Sequence, residues 1–179
     1  MSSYVESRLA PRTLTEREQT LLLRVTGDHS RGLRDHVLLA LAFGTGLREH
    51  ELVALNLGDV FDRDGRAKRR VQLRVFKRSN RDANTQDVVL SDRLRHKLEH
   101  LRRAKVSAGH PLEPEAPLFW SRENNRLSTR QVRTLFAEWQ RRAGFDRILP
   151  FHTTRHTAIT NVYRAEHDIR LAQRFARHK

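Results

Sequence analysis

"FGTGLREHELVALNLGDV", residues 43–60, decides the reading of this chain, and within it Arg48 is the oddity. Gly44 and Gly46 form a flexible corner. Glu49 to Leu57 then supply helix formers with apolar residues at Leu52, Leu55 and Leu57, which predicts that Arg48 stands where a loop becomes a helix. Two readings of Arg48 stand at this point. It is either an i, i+3 ion-pair partner of Glu51, worth about 0.2–0.5 kcal/mol on a helix surface, or a cation held in place to grip an anion.

Upstream, "TLTEREQTLLLRV" carries a capping signal in Thr13 or Thr15 followed by Glu18, and predicts a first helix over about residues 15–25. Residues 1–12 read as a flexible lead-in, and 13–179 as one domain. "LRDHVLLALAFGTG" predicts a deeply buried second helix ending at the glycines. Downstream, residues 59–92 alternate apolar and polar side chains (Val71, Leu73, Val75; Val88, Leu90) around Asp64-Gly65 and Ser79-Asn80 turns, which predicts a small three-stranded antiparallel sheet. Helical periodicity returns at Leu94, Leu98 and Leu101, and three prolines between Ser107 and Trp120 force a loop. A Ser128-capped helix then places Val132, Leu135, Phe136 and Trp139 on one face and stops near Gly144, and two further helices follow. The fold class is α+β, mainly α-helical.

Charge narrows the partner. The chain has 179 residues, with 35 Lys plus Arg against 21 Asp plus Glu, for a formal net charge of +14. Arginine dominates the surplus, and guanidinium forks match phosphate oxygens in a way ammonium does not, so a polyanion is expected, nucleic acid first. The absence of cysteine excludes disulfides and cysteine zinc sites and agrees with a reducing cytoplasm. No apolar run reaches the roughly 20 residues of a membrane span, and no signal-peptide pattern opens the chain.

"FHTTRHTAIT", residues 151–160, puts His152 and Arg155 one helical turn apart, able to hold one phosphate between them or to form a solvated polar face. His156 lies i+4 from His152, but no third ligand accompanies the pair, so a packed histidine is favoured over zinc.

Taken in order, "FGTGLREHELVALNLGDV", Lys77 between the second and third expected strands, "HTTRHT" and "RFARH" resemble the catalytic domain of the tyrosine recombinases, the phage integrase family. The resemblance runs from about Leu14 to Lys179 and implies DNA breakage and rejoining through a 3'-phosphotyrosyl link. It implies Arg48 and Arg155 as phosphate clamps, Lys77 as general acid, and His152 and His178 as phosphate or proton-handling groups. Glu51 orients them from behind. No cofactor and no metal is implied. Double-stranded DNA is the implied partner, with a tetramer of subunits on DNA when full length, and no membrane. Lys77 is crowded by Lys68, Arg69, Arg70, Arg74, Arg78 and Arg81; of these Arg74, Arg78 and Arg81, together with Arg130 and Arg133, are expected to contact DNA phosphates.

The chain departs from the family pattern in two places. The usual Leu-Gly-His is here "FARH", with Ala176 and Arg177 ahead of His178. The nucleophilic tyrosine, expected about nine residues after that histidine, falls past Lys179; Tyr163 matches an apolar core position of the family motif, and Tyr4 sits in the lead-in, so neither is expected to attack phosphorus. Three alternatives remain open: a noncatalytic DNA-binding module or regulator derived from a recombinase, a basic RNA-binding scaffold, and, by analogy of chemistry, relaxation of DNA as in type IB topoisomerases.

Overall fold

The structure, a computed structural model, describes residues 12–73 and 86–177. Helix α1 (Glu16–Asp28) starts at Thr15, whose hydroxyl accepts the Glu18 N–H while the Glu18 carboxylate takes the Thr15 N–H at 2.7 Å. Helix α2 (Leu33–Thr45) is the centre of the molecule: Val37 to Ala42 are all buried, and it packs against α1, α5 and α7. It stops at Gly46, where φ is 62° and the N–H returns to the Ala42 carbonyl. The positive φ favours glycine there, and a Cβ at Gly46 would lie a tight 3.1 Å from the Phe175 ring.

The helix expected over residues 49–57 is two helices. α3 (Glu49–Ala54) ends because Leu55 turns extended and its carbonyl accepts the Leu118 N–H at 2.9 Å, while Leu57 N–H donates to the Ala116 carbonyl. Pairing with the 116–118 segment thus competes with helix continuation and wins, and the short α4 (Leu57–Val60) follows.

The expected three-stranded sheet needs a similar correction. Among the described residues the sheet has two antiparallel strands, β1 (Arg70–Leu73) and β2 (Gln86–Val89), in the register Arg70↔Val89 to Leu73↔Gln86. The Asp64-Gly65 turn closes only one isolated bridge, Phe61↔Ala67. The Asp62 carboxylate takes the N–H groups of Asp64 and Arg66, and Phe61 is already bonded back to Leu57 of α4, so no length of chain is left for a ladder. The Ser79-Asn80 turn lies outside the described residues.

Helix α5 (Asp92–Ser107) buries Leu94, Leu98, Leu101 and, unexpectedly, Lys105, whose ammonium donates to the Pro117 carbonyl and lies 4.4 Å from the Trp120 ring centroid. Helix α6 (Thr129–Arg142) begins at Ser128, buries Val132, Phe136, Trp139 and Gln140, and is joined to α2 by the Trp139 indole N–H donating to Asp35 at 2.8 Å. Helix α7 (Thr153–Glu166) packs against α2, and α8 (Ile169–Phe175) packs against α7.

Gln140 sets where α7 begins. Its side-chain amide donates to the Leu149 carbonyl at 2.9 Å and its oxygen accepts the Leu149 N–H at 2.7 Å, fixing the segment that leads into His152. Gln140→Ala orphans both buried backbone groups and is expected to cost about 2 kcal/mol, a fall in Tm of roughly 6 °C, readable by calorimetry; an unchanged melt would mean that the segment is held by other contacts.

Candidate active site

The site is assembled from three chain segments that meet beside the end of α2. Arg48 precedes the first residue of α3, a position normally given to Ser, Thr, Asp or Asn. What stabilises it there is Glu51: one carboxylate oxygen accepts the Arg48 backbone N–H at 2.7 Å, the other accepts the Arg48 guanidinium at 3.2 Å. An acid at the third helical position also faces the positive end of the helix dipole. The two readings of Arg48 therefore coexist. It does pair with Glu51, but the pair is not a surface one, because the Glu51 side chain is 8% exposed while the Arg48 side chain keeps 39% of its surface open.

Arg155, on the first turn of α7, is 8% exposed. Its guanidinium donates to the Gly46 carbonyl at 2.6 Å and to the Ala176 carbonyl, so one side chain ties the α2–α3 corner to the end of α8. Burial pushes the Arg155 pKa down to about 10, and the like charges of Arg48 and Arg177 push the same way against Glu51. It is still a cation at neutral pH.

Arg177 joins them, a residue to which the sequence pattern assigns no role. It follows α8 with φ at 53°, the left-handed region, and its guanidinium donates to Glu51 at 2.7 Å with only 7% of the side chain exposed. Burial lowers its pKa and Arg48 adds to that, with Glu51 opposing. One carboxylate thus sits among three guanidinium groups, and the buried cluster carries an excess of positive charge. Such an excess is costly without an anion.

The other expected site residues fall as follows. His152 directly precedes α7 and is exposed, its ring edge-on to His156 with centroids 5.5 Å apart. Arg130 is exposed on the first turn of α6; Arg133, one turn on, forms an exposed ion pair with Glu49, the neighbour of Arg48. Lys77, His178, Arg74, Arg78 and Arg81 lie outside the described residues. Tyr163, expected at an apolar core position, is instead 45% exposed. Eight residues past Arg155 it is about 12 Å further along the helix axis.

The sequence model of the phage integrase family matches residues 12–179. The chain belongs to the phage integrase family. Over 181 aligned residues it is 29% identical to tyrosine recombinase XerC of Vibrio vulnificus strain YJ016, an alignment spanning 100% of this chain and 53% of that protein. The XerC of Vibrio cholerae serotype O1 strain M66-2 gives 29% identity over 180 residues, again 100% of this chain and 54% of the relative. The chain therefore spans about half the length of the curated relatives it matches.

Among solved structures, the XerA recombinase superposes with a TM-score of 0.74 at 23% identity, covering 93% of this chain and 56% of XerA. At these identities the likeness establishes a shared fold. The segment "TGLRE" lies at the α2–α3 corner, "HTTRH" at the start of α7, and Ala176 and Arg177 directly after α8. The positive φ at Arg177 is one that glycine adopts without strain. Among the described residues no helix is long and apolar enough to cross a membrane.

Proposed function

We propose that this chain is the catalytic portion of a site-specific DNA recombinase that breaks and rejoins strands through a 3'-phosphotyrosyl intermediate. The observation that carries the reading is the convergence of Arg48 and Arg155, from segments 107 residues apart in numbering, around the Glu51 carboxylate and the Gly46 corner. In the proposed reaction a tyrosine oxygen attacks phosphorus, the bond from phosphorus to the 5' oxygen breaks, and the departing oxygen takes a proton. Negative charge grows on the two nonbridging oxygens, and guanidinium groups fixed in advance by Glu51, Gly46 and Ala176 stabilise it with little reorganisation. Lys77 supplies the leaving-group proton; His152 and His178 bond the phosphate or manage the tyrosine proton. The ester keeps the bond energy for rejoining, so neither metal nor nucleotide enters.

Tyr163 is not assigned the attack, because its place along α7 does not give in-line geometry to a phosphate held at Arg155; the attacking tyrosine of the proposed reaction is the one that the family pattern sets about nine residues after His178. Its substrate is duplex DNA in the cytoplasm, on which four subunits assemble. Arg74, Arg78, Arg81, Arg130 and Arg133 make sequence-independent phosphate contacts. XerH, which shares this fold with a TM-score of 0.72 at 20% identity over 94% of this chain and 47% of its own, has been solved on its difH substrate before cleavage.

The test is incubation of the whole protein with duplex carrying its site in the presence of a chelator. A denaturant-resistant adduct on the 3' phosphate is expected. Cleavage that requires a metal, or leaves no protein attached, refutes the reading; tight duplex binding with no cleavage at all replaces it with the noncatalytic DNA-binding module.

A further inference from the structure

We propose that Arg177 is a third phosphate-contacting guanidinium of this site, its Nε–H completing the clamp formed by Arg48 and Arg155. The inference rests on the phosphate-site reading above and extends it to a residue outside the family pattern. Three observations support it.

The first is an unfilled donor. Among the described residues Arg177 Nε is buried and has no hydrogen-bond acceptor, although the same guanidinium donates through Nη2 to Glu51. Nε and Nη2 share one edge of the planar fork, the edge that normally takes two oxygens side by side. Glu51 fills only half of that edge because its other oxygen is committed to Arg48. An acceptor is therefore missing next to Glu51, and a buried donor left without one is costly.

The second is charge. Arg48, Arg155 and Arg177 surround one carboxylate, and two of the three guanidinium groups are almost wholly withdrawn from water. The ligand that best relieves this arrangement is a compact oxyanion with several acceptor oxygens, which is the chemistry of a phosphodiester.

The third is backbone geometry. Arg177 is held in the left-handed region, φ 53°, where a side chain is disfavoured. A bulky cation there is tolerated against local preference, and its side chain runs inward to the cluster rather than out to solvent. Arg24 on the solvent face, by contrast, keeps 75% of its side chain open even while paired with Asp28.

The experiment follows arginine Nε–H resonances in the folded chain by 15N NMR, with inorganic phosphate as probe. Arg177→Lys and Arg48→Lys each remove one peak and so assign them. Phosphate is expected to shift the Arg177 and Arg48 peaks along one common saturation curve. Arg177→Lys, which keeps the charge but lacks Nε–H, is expected to weaken phosphate about tenfold, and Arg177→Gly, which suits the backbone, to weaken it at least as much. If the Arg48 peak shifts while that of Arg177 stays, Arg177 is only a partner of Glu51 and the inference fails while the phosphate site stands. If neither moves, the phosphate-site reading itself fails.

Discussion

Arg48→Ala is expected to lower the rate of covalent adduct formation by the whole protein about 10²- to 10³-fold, the usual effect of deleting one preorganised donor to a developing oxyanion. The fold should survive. The Arg48 side chain is the most open of the three guanidinium groups, and Glu51 keeps the Arg48 backbone N–H and Arg177 as partners when that side chain is gone. Duplex affinity should fall far less, since one phosphate contact among many is lost. Single-turnover assays with saturating DNA separate the two effects. A rate loss below tenfold, or one that higher DNA concentration repairs, would show that Arg48 binds the ground state only and that the rate enhancement arises elsewhere.

Arg155→Ala should instead act on the fold as well as on the chemistry, with a loss of about 3 kcal/mol in stability and a Tm lower by roughly 10 °C. Two carbonyls, those of Gly46 and Ala176, lose a charged donor, at about 1.5–3 kcal/mol each, and the packing of a long buried side chain is lost with them. Relief of burial and of repulsion from Arg48 and Arg177 works in the other direction. It does not win, because the neighbouring cations remain and the orphaned carbonyls stay buried. Arg155→Lys retains the charge but lacks a planar fork to span both carbonyls, so it should melt between the two. Calorimetry on the three proteins decides the matter: an alanine variant melting within about 2 °C of the parent would mean that the tether between the α2–α3 corner and α8 contributes nothing.

Much of the scaffold was readable because local chemistry and tertiary packing agree in it. Thr15 with Glu18, Ser128 with Gln131, and the leucine series of α5 each state a helix that packing then accepts. The failures came where a remote segment overruled a local pattern. Leu55 abandons its helix for Leu118, and the Asp64-Gly65 turn yields one bridge because the Asp62 carboxylate tightens it. Lys105 and Gln140 look like surface residues in sequence and are buried, since each finds backbone carbonyls that periodicity does not reveal. Tyr163 fits an apolar pattern and faces water.

In the site, Arg48, Glu51 and Arg155 were named in advance and stand together, whereas their fixed partners, the carbonyls of Gly46 and Ala176, carry no side-chain signal at all. Arg177 did carry one. Its departure from the glycine pattern marked the position, but spacing alone gave no hint that the new side chain would turn back to Glu51.

The tether formed by Arg155 has a bearing on biosynthesis. Its acceptors and the Glu51 partners come from residues 46–51 and 176–177, so a nascent polypeptide that has emerged only to α6 possesses the first corner without its counterpart. Domains consolidate as units once their distant parts are available. Ribosome-bound intermediates of that length consequently lack the assembled cationic cradle, which closes only once α8 has docked and brought Ala176 and Arg177 to the first corner.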